Sequence, residues 1–533
     1  MKKWLLEIFP LSIVLLSFLV IQWRNIESVP YGIEGDEKCW TISSLANKYG
    51  IDATNFNVFV GHRVDQYNFP VSVAINKASF QFFGKNFVAP RKMLLLLNLS
   101  TLIFFYLICR GYLSKYVSLI TTTLYAFSTF NLITSRIAII GSYTRIFFLP
   151  AIYLAIIASK TTSFKKAVVI TVLCGISILL ALLTYNTAYI LVPVIVFYLF
   201  ASFSKNFSPY KTFLLILLLL LPILIYLPKI IVSFQQQSFK GYVFKDAVSL
   251  GDSPRVMINK AVASVANVKG EFFGKFTPDM LANWPNSLFN INISCLCAIG
   301  LTLVIIRTTQ SNKYLFLMIW SLLYLIGFNC LLGFNYPRMW ITTSSLVYIL
   351  AGVAIGEAMM FISKYTTRTI LFLFFILTSF FTFFIAKTDY STYQQHATKN
   401  ASFTAPIMEE ARNLSSILTD PKNKITLNNF LLLEENQALA DNSLPILLFS
   451  YLSLQTEAKK SLPKETEILN LLTNNISTFE FLPEKNLKEI QESKNKSVII
   501  LPLRLSTKFE SIFREATLIK EIKEEKYYKI IYL

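Results

Sequence analysis

Residues 34–37 read Glu-Gly-Asp-Glu, which puts Glu34, Asp36 and Glu37 within four positions, around a glycine that can shape a tight turn. The stretch that follows, KCWTISSLANKYG, is predicted to run as a surface helix ending at Gly50. Carboxylates at such a helix start have two readings. They offset the positive end of the helix, or one of them takes a proton from a substrate. From the residues alone the first is the commoner arrangement. Further on, His62, Asp65 and Tyr67 stand in a polar stretch and either line a site or are solvated. A divalent metal is compatible with these residue types, but their spacing matches no known metal motif, so neither metal ligand nor cofactor is assigned. Arg136, Arg145 and Arg338 flank long apolar runs. A guanidinium there can give a phosphate two parallel hydrogen bonds, or it can snorkel to lipid headgroups. Arg91 reads as an interfacial anchor. Tyr185, with Asn186 and Tyr189, either lines a pocket or packs in a core. The six cysteines lie mostly inside apolar runs and suggest neither a disulfide framework nor a zinc site.

The elements that must hold these groups are membrane spans. Of 533 residues, 54% are hydrophobic and 15% charged, whereas soluble domains carry about 25% charged residues. Mean hydropathy is +0.52. These values exclude a soluble globular enzyme, a disordered tail and a disulfide scaffold. The net charge of +19 comes from 50 Lys and Arg against 31 Asp and Glu. In a membrane protein such an excess belongs to cytoplasmic connections, so no nucleic-acid partner is expected. With roughly 20 apolar residues per crossing, eleven spans are predicted, near 5–23, 88–109, 116–134, 145–159, 167–184, 188–203, 212–228, 287–306, 314–333, 340–362 and 369–386. Every second connection is short and basic, as in Lys2/Lys3, Arg110/Lys115, Lys160/Lys165/Lys166, Lys205/Lys211, Arg307/Lys313 and Lys364/Arg368. The N-terminus is therefore expected in the cytoplasm and the C-terminal region outside. Residues 1–386 form the expected transmembrane domain, with outer loops 24–87 and 229–286, and 387–533 form an extracytoplasmic α/β domain. Within that tail a helix is expected over 406–418, strands over 424–433 and 496–503, and two strands around a charged turn over 516–533.

In this order the chain resembles the GT-C superfamily of lipid-dependent glycosyltransferases, and within it glycosyltransferase family 39, the protein O-mannosyltransferases, with the related aminoarabinose transferases. The resemblance rests on Asp36-Glu37 early in the first outer loop, then Pro70, Phe83-Gly84 and Arg91 before the second span. It continues through TLYAFSTFNLITSRIAIIGSYTRIFFLPAIYLA, LLTYNTAYILVPVIVFYL and NYPRMWITTSSLVYILAG, and covers roughly 1–386. In one place the sequence departs from the family. Many relatives carry an acid shortly after the arginine that follows the third span, and Arg136-Ile-Ala-Ile-Ile-Gly-Ser-Tyr has none.

The resemblance implies a GT-C transmembrane catalytic domain that moves a sugar from a polyprenyl-phosphate donor to a protein, lipid or glycan acceptor on the outer face. A lipid phosphate leaves readily at neutral pH and needs charge stabilisation, whereas an acceptor hydroxyl needs a base. One carboxylate with several cations suffices, and attack from the opposite side inverts the sugar. On this likeness Asp36 is the base, Glu37 orients it or touches the sugar, and Arg136 and Arg338 bind the lipid phosphate. Arg145 stays open between phosphate binding and snorkelling. Glu34, His62, Asp65, Tyr67 and Tyr185 are candidates for the substrate pocket. The expected setting is a prokaryotic plasma membrane, with membrane lipids as further partners. The competing reading is a polytopic transporter or lipid flippase. It calls for paired halves or mid-membrane ionisable groups, and the sequence shows neither.

Overall fold

A computed structural model describes residues 2–24, 26, 37, 41, 44–45, 70–138, 140–235, 289–310, 312–323, 340–365 and 368–399, together with short stretches of 413–434 and residues 476–478, 498–502, 521–525 and 528–532. The chain divides into two compact units. The first comprises Met1–Arg24, Tyr67–Ser72 and Arg91–Ala397, and the second Asn25–Gln66, Val73–Pro90 and Thr398–Leu533.

Helices dominate the described residues up to Lys399. They are α1 (Lys2–Trp23), α2 (Pro70–Phe83), α3 (Val88–Tyr112), α4 (Lys115–Ala126), α5 (Thr129–Thr134), α6 (Ile140–Lys160), α7 (Phe164–Leu182), α8 (Leu191–Asn206), α9 (Pro209–Gln235), α10 (Ile291–Gln310), α11 (Leu315–Ser321), α12 (Trp340–Tyr365) and α13 (Arg368–Lys399). Each expected span contains described helix. Among the described residues, the stretches Val88–Tyr112, Gly141–Lys160, Phe164–Leu182, Ala188–Asn206, Pro209–Pro228, Ile291–Thr309 and Ile341–Lys364 are long and apolar enough to cross a membrane, and α1 adds a shorter one, Ile8–Trp23. The span expected over 116–134 is not one rod. It breaks after Ala126, where Ser128 Oγ accepts a hydrogen bond from Asn131 N at 3.2 Å and opens α5 as a new N-cap. The last helix, α13, continues past the expected end at 386 to Lys399.

Alternate helix termini gather at opposite ends of the bundle. Arg110, Lys115, Lys160, Lys165, Lys205, Lys211, Arg307 and Lys313 belong to one end, called here the basic end. There Arg307 Nη2 meets Glu357 Oε2 at 2.8 Å and ties α10 to α12. The close of α4, the short α5 and the start of α6 belong to the other end.

Small residues let the apolar helices approach closely, as lipid-embedded helices require. A Cβ on Gly300 of α10 would overlap the carbonyl oxygen of Leu350 in α12, and one on Gly175 of α7 would overlap that of Leu219 in α9. Gly300→Ala is expected to cost about 1–3 kcal/mol through forced separation of α10 and α12. Thermal unfolding in detergent checks this. Gly356→Ala is the control, because a Cβ there meets Leu113 and Val117 at an ordinary 3.6 Å.

In the second unit, Gly84 sits at φ +80 just past α2, a conformation that favours glycine. Asn86 Oδ1 then accepts from Val88 N at 3.0 Å and Ala89 N at 2.9 Å and caps α3. The tail builds a five-stranded sheet from β1 (Phe430–Glu434), β2 (Ile476–Thr478), β3 (Val498–Pro502), β4 (Glu521–Glu524) and β5 (Tyr528–Tyr532), in the order β2-β1-β3-β5-β4. β1 pairs in parallel with β2 and β3, β5 pairs antiparallel with β3 and β4, and Val498 faces Tyr532. Every residue of β3 is buried, as its unbroken VIIL run requires of a central strand. Helical residues occur at 413–414 and 416–418, inside the helix expected over 406–418.

Candidate functional site

Most of the candidate residues of the first outer loop, Glu34, Asp36, His62, Asp65 and Tyr67, lie outside the described residues, as does Arg338. Glu37 is described, helical and fully buried, and it has interaction partners. Among the described residues no group of three or more His, Cys, Asp or Glu gathers that could hold a metal ion.

Arg136 follows α5 directly, and Arg145 reaches α5 through Asn131. Both are buried, as is the whole segment Ser128–Ser135 that follows the break after α4. Arg136 is 2% exposed. Its Nε donates to Gln22 Oε1 at 2.6 Å, and its Nη2 donates to the carbonyls of Ile21 and Arg24, each at 2.7 Å. Gln22 Nε2 in turn donates to Leu132 O at 3.1 Å. The guanidinium thus satisfies the carbonyls left open at the C-terminal end of α1.

Arg145, in the second turn of α6, is 1% exposed and so does not snorkel to headgroups. Its Nη1 donates to Asn131 Oδ1 at 2.6 Å and to Tyr125 OH at 3.4 Å. The Asn131 amide is held for this role, because its Nδ2 donates to Ala126 O at 3.1 Å. Arg145 Nε and Nη2 have no hydrogen-bond partner among the described residues. These two groups share one edge of the guanidinium, the edge that offers parallel hydrogen bonds to a phosphate or carboxylate. Through Tyr125 the guanidinium meets an aromatic wall. Tyr125 stacks on Phe105 at 4.3 Å and tilts against Tyr348 at 5.5 Å. Such an apolar floor keeps the local dielectric low and strengthens any charge the arginine meets. A buried cation is costly for a fold unless it is paired, and among the described residues this edge of Arg145 is left open.

Thr184 Oγ1 donates to Thr144 Oγ1 at 3.0 Å and links the turn after α7 to the residue before Arg145. Val71 N donates to Leu183 O at 3.3 Å, which seats the start of α2 on that turn. Tyr185 follows, half-buried and with partners of its own. Arg91 is fully buried and has partners, whereas an interfacial anchor would be exposed to headgroups.

The sequence reading missed Asp389, which it left in the tail beyond the last span. Asp389 is 7% exposed on α13. Its Oδ1 accepts from Asn290 Nδ2 at 3.1 Å, and its carbonyl accepts from Thr129 Oγ1 at 2.8 Å. Burial pushes its carboxyl up to about 6, while the hydrogen bonds from Asn290 and the Thr129 backbone pull it down. The folded state therefore holds this proton more tightly than the unfolded chain does. The contribution to stability is complete below the unfolded pKa near 4 and is lost as pH rises through about 6, roughly 2–3 kcal/mol in all. Asp389→Asn is expected to raise the melting temperature at about pH 7.5 and to leave it nearly unchanged at about pH 4. Parallel thermal melts of the two proteins read this difference.

Residues 69–226 match the family described as dolichyl-phosphate-mannose-protein mannosyltransferase. No curated protein sequence matches the chain. Among solved structures, the chain is similar to ArnT from Cupriavidus metallidurans in the apo state at 11% identity and a TM-score of 0.52, over 98% of this chain and 97% of that one. It matches the same protein bound to undecaprenyl phosphate at 10% identity and a TM-score of 0.52, over the same shares. The apo oligosaccharyltransferase of Archaeoglobus fulgidus matches at 12% identity and a TM-score of 0.51, over 96% of this chain and 72% of that one. A helical bundle with several membrane-length helices and a small C-terminal sheet gives the chain the fold of these GT-C membrane glycosyltransferase structures, and residues 69–226 carry the family match.

Proposed function

We propose that the chain transfers a sugar from a polyprenyl-phosphate donor to a protein, lipid or glycan acceptor, with inversion at the sugar carbon. The observation that carries this reading is the bidentate edge of Arg145, buried over an aromatic floor and without a partner among the described residues. That edge suits the donor phosphate, whose charge rises as the sugar departs. Stabilisation of the leaving phosphate therefore grows towards the transition state, which is where it accelerates the reaction. Arg136, bonded to the end of α1, acts as a positioning residue, and Arg338 supplies a second cation. Asp36 takes the acceptor proton, and Glu37 orients it or holds the sugar. The ArnT structure with undecaprenyl phosphate supports a lipid phosphate as donor, and the Archaeoglobus fulgidus enzyme tethered to an acceptor peptide supports a peptide as one acceptor class.

In this proposal the chain divides at 386/387 into a catalytic and an extracytoplasmic domain. The N-terminus and the basic end face the cytoplasm of a prokaryotic cell, and chemistry occurs at the opposite end. The test is binding of labelled polyprenyl phosphate to the purified full chain. Wild type is expected to bind, and Arg145→Gln to bind more weakly. Equal affinity in the two proteins overturns the role of Arg145.

A further inference from the structure

The basic end of the bundle carries a cavity of about 210 Å3 that the transfer reaction does not use. Lys160 at the end of α6, Lys205 at the end of α8 and Lys313 in the connection Asn312–Tyr314 all line it, and no carboxylate does. Lysines at helix C-termini are ordinary, because they offset the negative end of the helix. Two further features of the cavity need another explanation.

The first is convergence. Lys313 Nζ donates to Tyr112 O at 2.7 Å, which fixes the ammonium at the wall of the cavity. Lys160 Nζ stands 4.0 Å from where a Cβ on Gly111 would lie, so it reaches over a floor left open by glycine. Burial, and then the neighbouring Lys160, hold the Lys313 ammonium below its ordinary range, while Glu357 pulls it the other way. The second is an orphan. Tyr112 also lines the cavity and is 5% exposed, and its hydroxyl has no hydrogen-bond partner among the described residues. A buried hydroxyl without a partner is costly unless a ligand supplies one. Nearby polar groups are already engaged: Ser159 Oγ bonds Tyr198 OH at 2.7 Å, and Asn206 Nδ2 donates to Ser159 O at 3.2 Å.

We propose that this cavity binds a phosphate group, held by Lys160, Lys205 and Lys313 with Tyr112 OH as an uncharged donor. A cavity of about 210 Å3 has room for a single phosphate group. The group belongs to an anionic lipid headgroup or to free phosphate. The site is separate from the donor phosphate at Arg145 and does not depend on the transferase reading.

The test uses the full chain in zwitterionic mixed micelles. One arm titrates short-chain phosphatidic acid, and the other titrates inorganic phosphate. Saturable binding in at least one arm is expected. Lipid alone identifies a headgroup site, and binding in both arms identifies a site for free phosphate. Lys160→Gln with Lys205→Gln is expected to weaken binding at least about tenfold, as loss of charge-assisted hydrogen bonds should. The pair leaves the Lys313 contact intact, so folding is preserved. Tyr112→Phe is expected to weaken binding by about threefold without any change in charge. The control is Lys165→Gln with Lys166→Gln, which removes the same charge outside the cavity. The proposal is overturned if the control loses as much affinity as the cavity pair, or if neither probe binds.

Discussion

Asp36→Asn is expected to lower sugar transfer by about 10²–10⁴-fold, the contribution of one positioned general base. The choice of asparagine decides between the two readings of the carboxylates. Asparagine caps a helix about as well as aspartate, so the variant keeps the local structure and loses the base. A purely structural Asp36 would leave turnover within a small factor of wild type. The effect should fall on the chemical step, with donor binding unchanged, since the proposal gives the donor phosphate to the arginines and not to this carboxylate. Glu37→Gln is expected to be milder, because a residue that orients the base acts through it. If Asp36→Asn retains turnover and Glu37→Gln abolishes it, the roles exchange and the reaction class stands.

Arg145→Gln should weaken binding of polyprenyl phosphate by roughly 10–100-fold, equivalent to one charge-assisted hydrogen bond of about 1.5–3 kcal/mol. Its effect on stability should have the opposite sign. The wild-type protein keeps a buried guanidinium with Nε and Nη2 unpartnered among the described residues, and neutralising it relieves a desolvation cost. The melting temperature without ligand should therefore hold or rise while affinity falls. An arginine with a merely structural role would lose both together. Arg136→Gln offers the contrast: Gln22 and the carbonyls of Ile21 and Arg24 lose their donor, so stability should fall as well.

The sequence made the architecture readable because membrane spans depend on length and apolarity, both of which it displays directly. The basic connections further placed Lys160, Lys205 and Lys313 at one end, although nothing in their spacing showed that they share a cavity with Tyr112. The break in the third span was less visible. STFNLITSR reads as apolar on average, yet Ser128 can cap a helix and Asn131 is a polar residue inside the run. Those two signals mark the place where α5 begins and Asn131 reaches Arg145. Likewise, Arg145 could not be told from a snorkelling arginine, because burial depends on neighbours in α4 and α5 rather than on the local run. Asp389 was legible only as a lone acid after a span. Its burial needs Asn290, 99 positions away in sequence. In the tail, β3 and the β4–β5 hairpin follow from apolar runs and a charged turn, whereas β2 is three residues in a mixed segment and carries no periodicity.

The most direct measurement is sugar release from a labelled polyprenyl-phosphate sugar by the purified full chain, with Asp36→Asn beside it. The expected result is turnover by wild type that is lost in the variant, with the two proteins melting alike. Donor binding with no turnover by wild type across hexose and pentose donors and peptide, lipid and glycan acceptors would contradict the transferase reading.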